Sequence, residues 1–78
     1  MRIYSLFLKN VLVYQFIVVD GVFRVKAEER INKVIKDREE SDYSDYVLIV
    51  EQIPSSGLAM RYNIEPDLRW KYIKAEAY

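Results

Sequence analysis

Three groups of residues in this 78-residue chain carry side chains that could do chemistry. The first is acidic and tyrosine-bearing: Asp37, Glu39, Glu40, Asp42, Tyr43, Asp45 and Tyr46. A row of carboxylates beside tyrosines can meet a basic protein patch or imitate a nucleic-acid backbone, and Glu39, Glu40, Asp42, Tyr43, Asp45 and Tyr46 are the expected partner-binding residues. The second is basic and aromatic: Arg61, Tyr62, Arg69, Trp70, Lys71, Tyr72 and Lys74. If the rings and cations shared one exposed face, bases could stack while phosphates were neutralised, which makes Arg61, Tyr62, Arg69, Trp70, Lys71 and Tyr72 the alternative, nucleic-acid-binding set. The third is Glu65 and Asp67 on either side of Pro66, a carboxylate pair that could move protons or hold a hard divalent cation. Turn formation explains that pair equally well.

What is missing narrows the chemistry further. The chain has no His and no Cys, so it offers no thiol nucleophile, no Ser-His-Asp relay, no zinc finger and no disulfide. Its two glycines, Gly21 and Gly57, are too few for a glycine-rich phosphate loop. The expectation is a protein without catalytic residues, metal or cofactor. Twelve Lys plus Arg balance twelve Asp plus Glu, and a neutral chain lacks the cationic excess that supplies most non-specific nucleic-acid affinity. The zero is a sum of unlike parts. Residues 1–25 carry three cations and one anion, residues 26–46 five cations and seven anions, and residues 47–78 four of each, so the acidity is local.

With 51% hydrophobic and 31% charged residues the chain has the composition of a folded soluble domain, and at this length it has room for one core spanning residues 1–78. The apolar stretch Met1 to Val19 is interrupted by Arg2, Lys9, Asn10 and Gln15, which argues against a membrane span or signal peptide and for a cytoplasmic protein.

The elements that must position these residues follow from periodicity. Ile3 to Lys9 and Val11 to Val19 read as two strands or one long bent strand, with Leu12, Tyr14, Phe16 and Val18 on one face and equally apolar residues on the other. Asp20-Gly21 is a type I′ turn signal that predicts a hairpin partner over Val22-Phe23-Arg24-Val25. From Ala27 the period becomes 3.6, and Ala27, Ile31, Val34 and Ile35 form one stripe of a helix reaching about Glu40. Residues 41–45 read as a loop, 46–53 as a strand, 54–57 as a turn and Leu58 to Ile64 as its hairpin partner. Leu68 to Tyr72 fits a strand or a short helix, with Trp, Tyr and Ile favouring the strand.

The expected fold is α+β: one amphipathic helix on a mainly antiparallel sheet of five or six strands, in the order ββ(β)-α-ββ with a C-terminal strand or short helix. A helix of about 14 residues covers one face at most, at roughly 21 Å of length, so the other apolar face needs a partner. Gln15-Phe16-Ile17-Val18-Val19 resembles the short Gln-led hydrophobic peptide of bacterial sliding-clamp ligands over five residues, but it lacks the terminal aromatic and lies inside a strand. No family is assigned from it. The functional expectation is a small non-enzymatic protein-binding module, homodimeric, with the size and plainness of inhibitors that phages and mobile elements direct at host proteins. The alternative is a nucleic-acid-directed factor or small His-free nuclease built on the C-terminal segment.

Overall fold

The computed structural model describes residues 1–19, 24–38, 43–53 and 57–77. The Asp20-Gly21 turn, Glu39, Glu40 and Asp42 of the acidic run, and Pro54 to Ser56 lie outside them. Strands β1 (Arg2–Leu8) and β2 (Val11–Val18) are followed by helix α1 (Arg24–Arg38), a 3-10 turn at Tyr43–Asp45, and strands β3 (Tyr46–Gln52), β4 (Leu58–Ile64) and β5 (Trp70–Ala77). The strands form one sheet in the order β2-β1-β3-β4-β5, every neighbouring pair antiparallel. This is the expected α+β architecture with five strands and a C-terminal strand.

Two residues with positive φ make the first hairpin. Lys9 (φ 49°) and Asn10 (φ 66°) form the two-residue link between Leu8 and Val11, the pattern of a type I′ turn. Asn tolerates that region; Lys does not favour it. A main-chain bond from Lys9 N–H to the Asp45 carbonyl, 3.1 Å long, ties this turn to the segment that precedes β3. The β4–β5 link is also specified locally. The Leu68 N–H donates to the Glu65 carbonyl at 2.8 Å, closing a β-turn with Pro66 at its second position, and Leu68 takes φ 65°.

The hairpin expected at Val22 to Val25 is not formed where it can be described, because Arg24 and Val25 already belong to α1. The reason lies in the topology. Strands β2 and β3 both pair antiparallel with β1, so they run parallel to each other and only a crossover can join them. A strand of seven or eight residues is roughly 25 Å long, and the 15-residue helix spans about 22 Å on the way back.

The helix packs through Ala27, Ile31 and Ile35 onto Tyr4, Leu6, Phe16, Tyr46, Leu48, Val50, Tyr62 and Ile64, all buried. Those strand residues alternate along each strand, so one sheet face supplies the whole core. Five strands at about 4.8 Å spacing are roughly 19 Å wide, whereas a helix with its side chains is about 10 Å across. The shoulder beside the helix is filled by rings: Tyr4 and Phe16 stack at 5.1 Å, and Trp70 lies 6.2 Å from Tyr4 and 6.0 Å from Tyr62. The Trp70 indole N–H donates to Asn32 Oδ1 at 3.1 Å, which fixes the indole against the helix. Leu48 is fully buried, and deleting a buried leucine costs about 2–5 kcal/mol, close to the 3–5 kcal/mol that one core of this size supplies, so Leu48→Ala is expected to show no cooperative transition in a circular dichroism melt.

A β-bulge changes the register of β2. Tyr14 pairs with Leu6 but Leu12 pairs with Phe7, which leaves Val13 as the extra residue. Val13 packs against the core, and Leu12 moves to the opposite face, away from Tyr14, Phe16 and Val18. The expected four-residue face therefore contains three of its members. A second bulge in β5 leaves Ile73 extra between Tyr72, opposite Tyr62, and Lys74, opposite Arg61.

The strained turn is the simplest feature to improve. Replacing Lys9-Asn10 by Asn-Gly is expected to stabilise the fold by about 1 kcal/mol, raising the melting temperature by roughly 4–8 °C in a circular dichroism melt.

Candidate protein-docking face

The sheet face opposite α1 is built from the alternate residues of the same strands. Three rows cross it, read from β2 to β5: Ile17-Ile3-Glu51-Ala59-Glu76, then Gln15-Ser5-Ile49-Arg61-Lys74, then Leu12-Phe7-Val47-Asn63-Lys71. Its two halves differ in chemistry. Strands β2, β1 and β3 contribute Ile3, Phe7, Leu12, Ile17, Val47 and Ile49 together with Ser5, Gln15 and the carboxylate of Glu51, whereas β4 and β5 contribute Ala59, Arg61, Asn63, Lys71, Lys74 and Glu76. No element among the described residues covers this face.

In the mainly apolar half Ser5 and Gln15 satisfy each other. Ser5 is only 3% exposed although it faces outward, and its hydroxyl accepts a bond from Gln15 Nε2 at 2.9 Å. Ile17, by contrast, is 58% exposed. In the charged half Glu76 is the centre. Lys74 Nζ lies 2.7 Å from one carboxylate oxygen and Arg61 Nε 3.3 Å from the other. The hydrogen bond from Lys74, aided by the charges of Arg61 and Lys74, holds the Glu76 carboxyl below its ordinary pKa.

Of the acidic and tyrosine-bearing set, the described members Asp37, Tyr43, Asp45 and Tyr46 do not share one exposed surface. Tyr46 is buried at 1% exposure, and its hydroxyl finds no partner among the described residues. Tyr43 is half-buried against the core, and Asp45 is half-buried in the 3-10 turn, with its carbonyl holding Lys9. Asp37 is exposed on α1.

The basic and aromatic residues are split by the sheet. Tyr62 and Trp70 belong to the helix-side ring cluster, and Tyr72 extends that cluster edge-on to Tyr62 at 5.8 Å. Arg61, Lys71 and Lys74 stand on the opposite face, two of them paired with Glu76. Arg69 is in the β4–β5 turn and binds Asp67 through both its backbone N–H and its side chain. A stacking platform needs rings and cations on one surface, and the alternation of β4 and β5 separates them.

The Glu65-Asp67 pair is likewise turn structure. Asp67 Oδ1 accepts the Arg69 N–H at 3.2 Å, and this bond lowers the Asp67 pKa. No group of three or more metal-ligating side chains occurs among the described residues, and no helix among them is long and apolar enough to cross a membrane.

The residues that sequence reasoning passed over are Ile3, Phe7, Val47 and Ile49. Their signal was present, since β1 and β3 are apolar at consecutive positions and a strand wet on one face would alternate. The chain matches no protein-family model, no curated protein and no solved structure, so the geometry stands alone as the guide to function.

Because the folded pKa of Glu76 lies below the unfolded one, its pairing stabilises the fold above the ordinary glutamate value of about 4.3 and that stabilisation is lost as the pH falls lower. The group is solvent-exposed and salt-screened, so the effect is small. Glu76→Gln is expected to lower the melting temperature slightly near neutral pH in low salt. The two proteins should converge at acid pH, and also in about 1 M salt, where the screening length is about 3 Å.

Proposed function

We propose that this protein is a small non-enzymatic protein-binding module that docks on its partner through the outer sheet face. The observation that carries the reading is the uncovered apolar half of that face, formed by Ile3, Phe7, Leu12, Ile17, Val47 and Ile49 on three adjacent strands. A contiguous exposed apolar patch on a small soluble domain marks an interaction site more often than not. The charged β4–β5 half beside it has the polar character of an interface rim.

The net negative charge of residues 26–46, seven anions against five cations, favours a partner whose complementary surface is basic. Action by occlusion suits such a domain. An inhibitor that covers a surface of its target, of the kind phages and mobile elements direct at host proteins, needs a shaped face and no reactive side chain. The nucleic-acid reading is the weaker one, because the rings of Tyr62 and Trp70 and the cations of Arg61, Lys71 and Lys74 lie on opposite faces.

Immobilised protein is expected to retain a specific protein from a lysate of its native host, and Ile49→Lys should reduce the retained amount by about tenfold, as burying an unpaired charge in an interface core does. The variant's circular dichroism melt establishes that it is folded. Equal retention by the folded variant sinks the face as the docking site. A mixed oligonucleotide pool should show no binding at low salt, whereas affinity with a steep salt slope would establish the nucleic-acid reading instead.

A further inference from the structure

We infer that the opening lined by Arg2, Tyr4, Val50, Met60, Tyr62 and Trp70 is a binding pocket for a small aromatic carboxylate of one ring. It lies on the sheet face that α1 packs against and not on the outer face, so it stands or falls separately from the docking reading above.

Register brings the lining together. Tyr4, Val50 and Met60 are successive partners across β1, β3 and β4, while Arg2 precedes Tyr4 and Tyr62 follows Met60 on the same face of their strands. Tyr4, Val50 and Tyr62 are buried members of the core, which makes that part of the lining rigid. Trp70 comes from β5 and packs against Tyr4 and Tyr62, its ring tilted at 53° and 55° to theirs. The indole N–H is directed to Asn32, and the Tyr62 hydroxyl donates to the Met60 sulfur at 3.8 Å, so these two rings offer a ligand their carbon surfaces.

The class of ligand follows from charge and size. Arg2 is exposed, and its neighbours on this face across β2 and β3 are Val18 and Gln52, both uncharged. It forms no ion pair among the described residues. A guanidinium without a counter-ion selects a carboxylate, which it binds through two parallel N–H···O bonds, and it repels the ammonium groups that rings alone would attract. The pocket volume is about 180 Å³. An apolar protein cavity of about 150 Å³ holds benzene, so there is room here for one ring and its carboxylate and too little for a nucleotide. Against tilted aromatic walls, a flat ring gains offset and edge-to-face contacts that a saturated ring does not.

Trp70 is the chain's single tryptophan, so its indole N–H signal in a proton–nitrogen correlation spectrum reports on the pocket directly. Titration of the full chain with benzoate should move that signal, and the amides of Tyr4, Val50 and Met60 with it, to saturation at a Kd of about 0.1–1 mM. Benzamide, which keeps the shape and lacks the charge, should bind at least about tenfold more weakly, and cyclohexanecarboxylate, which keeps the charge and lacks the flat ring, about threefold. Arg2→Gln should weaken benzoate by about tenfold and leave benzamide as it was, with an unchanged circular dichroism melt. Lys33→Gln, on the exposed side of α1, should alter neither. No saturable movement of the indole signal with millimolar benzoate overturns the inference. So does benzamide or cyclohexanecarboxylate binding as well as benzoate, a folded Arg2→Gln that binds benzoate as the wild type does, or shifts centred on other residues.

Discussion

The structure depends on one connection. Strands β2 and β3 lie on either side of β1 and run parallel to each other, so the chain between them must cross back over the sheet, and α1 is the element that does so. The helix is therefore link and lid together. Placed over β1 and its neighbours, it buries Ala27, Ile31 and Ile35 on the residues of one sheet face. The side of that face toward β5 is left to side chains, and the ring cluster of Tyr4, Trp70 and Tyr62 covers it, with Asn32 anchoring the indole. Nothing comparable exists on the opposite face among the described residues.

That asymmetry organises the surface. An apolar half on β2, β1 and β3 adjoins a half on β4 and β5 whose carboxylate and cations satisfy one another. The neutral total of the chain thus resolves into an uncharged strand at one edge of the sheet and a lysine-bearing strand at the other. Exposed ion pairs of the Glu76 type contribute little to stability, so their consequence is mainly to keep the β4–β5 side wet. Where the sheet is open and apolar, association is the physical outlet.

Much of this was legible in the residue order. The Ala27, Ile31, Val34, Ile35 stripe located the helix because a 3.6-residue period has no other use, and the apolar run from Tyr46, the turn residues 54–57 and the run Leu58 to Ile64 located the β3–β4 hairpin. The strength of Asp20-Gly21 as a turn signal misled, since Arg24 and Val25 turned out to be helical; a dipeptide senses only its neighbours, while the crossover is demanded by the β1–β3 pairing, between residues 38 to 50 apart in sequence. Lys9-Asn10 carried the weaker turn signature and made the first hairpin. Leu12 changed faces for a similar reason, because the bulge at Val13 exists only in relation to β1.

By itself, the sequence determined the existence of one helix with an apolar stripe and the exclusion of histidine and cysteine chemistry, both properties of residue type and local period. The tertiary structure alone decided which apolar face the helix would cover, that the C-terminal rings and cations would stand on opposite sides of the sheet, and that Tyr46 would be core. Those outcomes depend on strand order and register. Both are set by long-range pairing, where a shift of one residue exchanges the two faces of a strand, and no local pattern encodes them.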